Sequence, residues 1–214
     1  MSILFSIVAF AVAITIHEAA HAWMADRLGD PTARLAGRLS LNPLAHVDIY
    51  GTILIPLILI FLGSPFVFGW AKPVVFDPYN LKNPRSDSAL ISLAGPLSNL
   101  ILATFFSLVL RIYSLPFSPL AVFSGLIYPL IIINVALAVF NLIPIHPLDG
   151  GKILVGLLPP ETARKIDLFL NRYGLMLLLF LIFPVFNGRS ALSLYLYPVV
   201  SFVLSILIPG NPII

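Results

Sequence analysis

Charged side chains occur only in short breaks between long uncharged stretches, and this spacing constrains the fold more than any other feature of the chain. The uncharged stretches run from Met1 to His17, Ile49 to Ala71, Ser88 to Leu110, Ile112 to His146, Tyr173 to Gly188 and Ser190 to Ile214. A helix crossing a bilayer takes about 20 mostly apolar residues. Only 10% of the residues are charged and 59% are hydrophobic, whereas a soluble domain carries about 25% charged residues. Twenty-one charges (12 basic, 9 acidic) cannot cover a water-soluble globule of 214 residues. This excludes a soluble enzyme, a disordered chain and a nucleic-acid binder, in spite of a pI of 9.3. With no cysteine, a disulfide framework, a thiolate zinc site and a cysteine nucleophile are excluded together. An integral membrane protein with one domain, residues 1–214, is expected.

The expected fold is an all-α polytopic bundle of about five to six membrane segments, with short membrane-associated β-strands or a re-entrant element. The first stretch lacks the basic start and small-residue cleavage site of a leader. It carries His17, Glu18 and His21 at its far end, so a retained helix over 1–24 is expected. Further helices are expected over 88–110, 120–145, 173–187 and 190–209. Pro144 and Pro147 end the third of these five, because proline removes a backbone donor and clashes with the preceding turn. Residues 49–71 hold Pro56, Gly63, Ser64 and Pro65, breaks at which a re-entrant or hairpin element can bend. Two segments read as strands. Ala33–Leu41 alternates apolar with Arg, Gly and Ser, and Phe68–Phe76 is aromatic and β-branched around a proline.

His17-Glu18-Ala19-Ala20-His21 reads HExxH. On a helix, residues four apart share a face, so both imidazoles can reach one metal ion, with Glu18 beside them as a base for water. Three ionisable groups within one and a half turns of an apolar helix mark a functional site, because such groups are costly in a membrane. The bland alternative is a set of interfacial polar residues at a helix end. Catalytic zinc takes three protein ligands and leaves one position open. Without cysteine, the third ligand must come from candidates such as His46, Asp48, His146 and Asp149. Asp149 lies where a long apolar helix breaks in NLIPIHPLDGG, Asn141 to Gly151. Broken backbone at membrane depth is tolerated only when buried in protein or lining a wet cavity. Taken alone, Asp149 reads equally well as a turn residue before Gly-Gly.

HEAAH near the N-terminus, followed by NLIPIHPLDGG after a hydrophobic helix, resembles the site-2 protease family of intramembrane zinc metalloproteases. GRLSLNPLAHVDIYGT, GWAKPV and LAGPLSN resemble the short branch without a PDZ or CBS domain, and the likeness covers nearly the whole chain. The resemblance implies His17, His21 and Asp149 as ligands of one Zn2+ per chain and Glu18 as the general base. It implies Asn141 along the active site, against substrate backbone or a developing oxyanion; Asn99 is a second candidate of that kind from its own place in the chain. A common form of the second motif has proline where this chain has His146, which leaves His146 as a polar wall, an indirect support or an alternative ligand. In SLAGPLSNL, Gly95, Pro96 and Asn99 also fit close helix packing. His46 and Asp48 fit hydrogen bonding within a loop.

The expected function is an intramembrane zinc endopeptidase that hydrolyses a peptide bond within or near a transmembrane helix of its substrate. Metal transport, or inactive binding of transmembrane segments, are the alternatives. The partners implied are that substrate helix and the lipid bilayer, with no nucleic acid. If 49–71 returns to its starting side, Arg27, Arg34, Arg38, Lys72, Lys82, Arg85, Lys152, Arg164, Lys165 and Arg172 share one side and Arg111 and Arg189 the other. The positive-inside rule then places the zinc site and C-terminus toward the cytoplasm and the N-terminus outside, in a multi-pass cell-membrane protein with five full spans and one re-entrant element.

Overall fold

The structure, a computed structural model, describes residues 3–61, 71–113, 124–183 and 190–208. Eight α-helices lie in these residues: α1 (Ile3–Leu28), α2 (Thr32–Leu35), α3 (Ile55–Phe61), α4 (Pro84–Tyr113), α5 (Ser124–Asn141), α6 (Asp149–Leu157), α7 (Pro160–Ile182) and α8 (Ala191–Leu207). The helix α4 is central and packs against α1, α5, α6 and α8, while α1 also meets α5. Alanines make this close packing possible. Ala9, Ala13 and Ala22 of α1, Ala103 of α4 and Ala138 of α5 are completely buried, as expected where helices meet in lipid and only small side chains let backbones approach. A second layer of contacts joins α4, α5 and α8 through Leu110, Ile131, Val135 and Leu204.

Two helices, α1 and α4, are long and apolar enough to cross a membrane. At about 1.5 Å per residue, the 26 residues of α1 extend about 39 Å, beyond the roughly 30 Å hydrocarbon thickness. The described parts of α5 and α8 are apolar but shorter, at 18 and 17 residues. Helix α7 begins at Pro160, thirteen positions before the expected start at 173, and those added residues carry Glu161, Arg164, Lys165, Asp167 and Arg172. Among the described residues every regular element is helical, and the span count of five belongs to the proposal below.

The end of α1 sets the geometry beyond it. Gly29 has φ +107, a left-handed conformation that glycine adopts without a Cβ penalty. The Gly29 amide donates to Asp26 O at 3.2 Å and the Asp30 amide to Ala25 O at 2.9 Å, the paired closure of a Schellman motif. Asp30 is then buried and accepts from Thr32 N and Oγ1, from the amide of Asp77 at 2.7 Å and from Asn80 Nδ2 at 2.8 Å.

The expected strand over Ala33–Leu41 is not formed. Asp30 caps the turn that follows it, and Pro31-Thr32 opens α2 in its place, followed by a turn with Gly37 at φ +68. A helix-start signal of this kind outweighs a short alternation of apolar and polar residues. Of the second expected strand, Phe68 to Trp70 lie outside the described residues, and residues 71–77 have no regular structure. Pro73 removes a donor, and the flanking amides bond to scattered partners, Lys72 N to His46 O and Val74 N to Glu18. No strand occurs among the described residues. Of the 49–71 element, a π-helical stretch Ile49–Leu54 leads into α3, and residues 62–70 lie outside the described set.

Candidate metal centre

His17 and His21 project from one face of α1 and are 3% and 7% exposed. Their Nε2 atoms lie 3.1 Å apart. Asp149, the first residue of α6, brings Oδ2 to 3.1 Å from Nε2 of His17 and 3.3 Å from Nε2 of His21. The three side chains form a group able to hold one metal ion.

The turn that delivers Asp149 needs its glycines. A Cβ on Gly150 would collide with the carbonyl oxygens of Leu142 and Ile143, and one on Gly151 would lie 2.5 Å from Nδ1 of His146. Without side chains, the first turn of α6 nests against the chain leaving α5, and the carboxylate faces α1.

The donor set fits zinc. Two imidazoles and one carboxylate make a three-ligand set of the kind that catalytic zinc takes. Nδ1 of His21 lies 2.7 Å from the carbonyl oxygen of Ile91, which only accepts, so that nitrogen carries the ring proton and Nε2 presents a lone pair. A lone pair facing a second imidazole nitrogen and a carboxylate oxygen at 3.1–3.3 Å calls for a cation between them. His17, His21 and Asp149 are the residues that would hold it.

Glu18 stands beside the group, half-buried, with Oε2 accepting a hydrogen bond from the Val74 amide at 3.1 Å. This contact draws the 71–77 segment over the site. Nδ1 of His17 faces Oδ1 of Asn99 at 2.6 Å, and Asn99 donates through Nδ2 to Ala13 O and to Asn134. Asn99 is fully buried, and both its amide protons are engaged within the protein. Asn141 is half-buried and donates to Leu137 O within its own helix.

His146 turns toward α7, where its Nε2 lies 3.1 Å from Oδ1 of Asp167, and it does not join the metal group. Nε2 of His46 lies 2.9 Å from Ser40 O, and Asp48 accepts from Gly51 N, so both serve their loops. Two contributors escaped the sequence reading. Ile91 acts through a backbone carbonyl and leaves no sequence signal. Asn134 does leave one: a single amide in the apolar run Ile127–Phe140, where a polar side chain is unusual enough to flag.

Residues 5–123 and 118–183 match the family model described as Peptidase family M50. "Putative zinc metalloprotease YwhC" of Bacillus subtilis is 40% identical over 202 residues, which cover 87% of this chain and 88% of that protein. "Putative zinc metalloprotease Rip2" of Mycolicibacterium smegmatis is 33% identical over 176 residues, 82% of this chain and 66% of the relative. "Zinc metalloprotease MJ0392" of Methanocaldococcus jannaschii is 28% identical over 121 residues, 54% of this chain and 34% of the relative. No solved structure matches.

Proposed function

Since the chain belongs to peptidase family M50 and is a zinc metalloprotease of that family, we propose that it cuts its substrates within the membrane, at a peptide bond in or near a transmembrane helix. One observation carries this reading: the depth of the ligands along α1. His17 is the fifteenth of 26 residues in that helix. At about 1.5 Å per residue it lies roughly 21 Å from one end and 16 Å from the other. If α1 crosses the bilayer, the metal group sits inside the hydrocarbon, where a soluble peptide bond does not go.

The chemistry follows from the groups around the site. Bound zinc supplies a Lewis acid that polarises a carbonyl and acidifies water. Glu18 takes the proton of the attacking water and returns it to the leaving amine. Its bond to the Val74 amide fixes one carboxylate oxygen and leaves the other for that transfer. A helix hides its amides in its own hydrogen bonds, so the substrate must unwind before cleavage. A proline- or glycine-rich substrate helix is therefore cut far faster than a poly-leucine helix, and equal rates would count against cleavage of an unwound helix. Five full spans with a re-entrant 49–71, and a metal group facing the cytoplasm of the cell membrane, complete the proposal on the ten-to-two bias of Lys and Arg.

The direct test compares membrane-protein fragments in cells carrying the wild type or Glu18→Gln. Fragments ending inside transmembrane segments should be present only with the wild type. Identical fragment sets would refute intramembrane proteolysis, and retained metal flux in the variant would favour a transporter.

A further inference from the structure

Asn134 lies in the middle of α5 and is completely buried, as is Asn99 of α4. Neither is a metal ligand, yet together they form a chain of hydrogen bonds with only one direction. Asn134 donates through Nδ2 to the carbonyl oxygen of Leu130 at 2.7 Å. Its Oδ1 is thereby turned to Asn99, whose Nδ2 donates to it at 2.7 Å. The other proton of that Nδ2 goes to the carbonyl oxygen of Ala13 at 3.0 Å. The Oδ1 of Asn99 is left facing Nδ1 of His17 at 2.6 Å.

The amide orientations are settled by chemistry. Reversing Asn99 would set its oxygen against two acceptors, Ala13 O and Asn134 Oδ1. Reversing Asn134 as well would relieve one clash and create another, against Leu130 O. A backbone carbonyl has no proton to donate, and a buried acceptor facing an acceptor costs the full desolvation of both. Two carbonyls on two helices therefore fix the whole relay, and it ends in an oxygen that can only accept. His17 must carry its proton on Nδ1 and present its lone pair on Nε2, the atom 3.1 Å from Asp149.

We propose that Asn134 and Asn99 are positioning residues of the metal centre: the relay from Leu130 O sets the tautomer and ring plane in which His17 meets zinc. The proposal rests on the zinc reading of His17, His21 and Asp149. Hydrogen-bonded partners of this kind orient ligating imidazoles, and their loss commonly lowers metal affinity 10- to 100-fold. Asn134 extends that role one step further, to a residue that touches no ligand.

The test is zinc affinity of the detergent-purified chain, measured with zinc alone against a competing chelator, together with 15N spectra of histidine in the metal-free protein near pH 8. Asn99→Leu should bind zinc about 10- to 100-fold more weakly. Asn134→Leu should lose about tenfold, the order of one hydrogen bond. The double variant should match Asn99→Leu alone, since Asn134 acts only through Asn99. In the wild type His17 should show a protonated Nδ1, and in Asn99→Leu a mixture of tautomers, a change that lost packing alone would not produce. Wild-type affinity in Asn134→Leu, losses that multiply in the double variant, or an unprotonated Nδ1 in the wild type would each overturn the relay. The last needs no variant to fold. A wild type that takes up no zinc would overturn the metal reading itself.

Discussion

Gly95 sits directly against His21: a Cβ built on it would lie 2.5 Å from Cε1 of that imidazole, closer still to Nε2, and 2.7 Å from Cε1 of His17. Three residues of α4, Ile91, Gly95 and Asn99, follow one another at a spacing of four along a single face. The first holds His21 by its carbonyl, the last holds His17 by its amide, and the glycine between them makes room for both rings.

Gly95→Ala should therefore act on the metal centre. Neither ring can step aside without breaking the bond to Ile91 or Asn99. Overpacking of this sort costs about 1–3 kcal/mol, and zinc affinity should fall by at least about tenfold in chelator competition. Undiminished affinity would show that the rings move freely.

Metal content should separate ligands from base. The purified wild type should hold one zinc per chain by elemental analysis. His17→Ala, His21→Ala and Asp149→Ala should each lose it, while Glu18→Gln should keep it and be inactive. His146→Ala should also keep zinc, because His146 pairs with Asp167 on α7. Full zinc in Asp149→Ala would refute the ligand set.

Asp30 gives a stability that depends on pH. Burial raises its pKa, but donors from Thr32 and Asn80 and the amides of Asp77 and Thr32 outweigh this, so the folded value is lowered. A depressed carboxylate contributes stability that is present above the unfolded value, about 3.9, and is lost as the pH falls through the folded value. Thermal unfolding in detergent should show a wild-type loss below about pH 4 that is absent in Asp30→Ala. That variant should itself be less stable at pH 7 by about 1–3 kcal/mol, from donors left unpaired. Parallel curves for the two proteins would rule out Asp30 as the titrating group.

Topology can be read by labelling, since the chain has no cysteine of its own. Single cysteines at Lys82 and Arg164 should react with an impermeant reagent from the same, cytoplasmic face. Labelling from opposite faces would defeat the re-entrant arrangement of 49–71.

The sequence was most legible where chemistry and spacing coincide. HEAAH places two imidazoles on one helical face whatever surrounds them, and the structure brings Asp149 of LDGG to both. The contribution of α4 was not legible in the same detail. Gly95 and Asn99 looked like packing residues because which face of α4 meets α1 is decided by tertiary contacts. Helix α6 was missed because it begins on Asp149 itself and runs through two glycines, which read locally as a turn. Helix α7 was started too late because its charged first half looked like a loop, although Pro160 in the first turn is a helix-start signal. The strand at Ala33–Leu41 failed because Asp30-Pro31-Thr32 already committed the chain to a helical turn.

His17 and Asp149 are 132 positions apart in sequence, and that separation gives the bound ion a mechanical role. An ion gripping both ends fastens the first helix to the start of the sixth and closes most of the polypeptide into a ring. The entropy such a clasp removes from the unfolded chain grows slowly with ring size and is near its largest for rings this long. Stripping the ion would thus do more than silence a reagent. It would unlatch α6 from α1, and the early signs should be faster amide exchange and protease nicking around Leu142–Gly151, while the paired helices α1 and α4 stay closed.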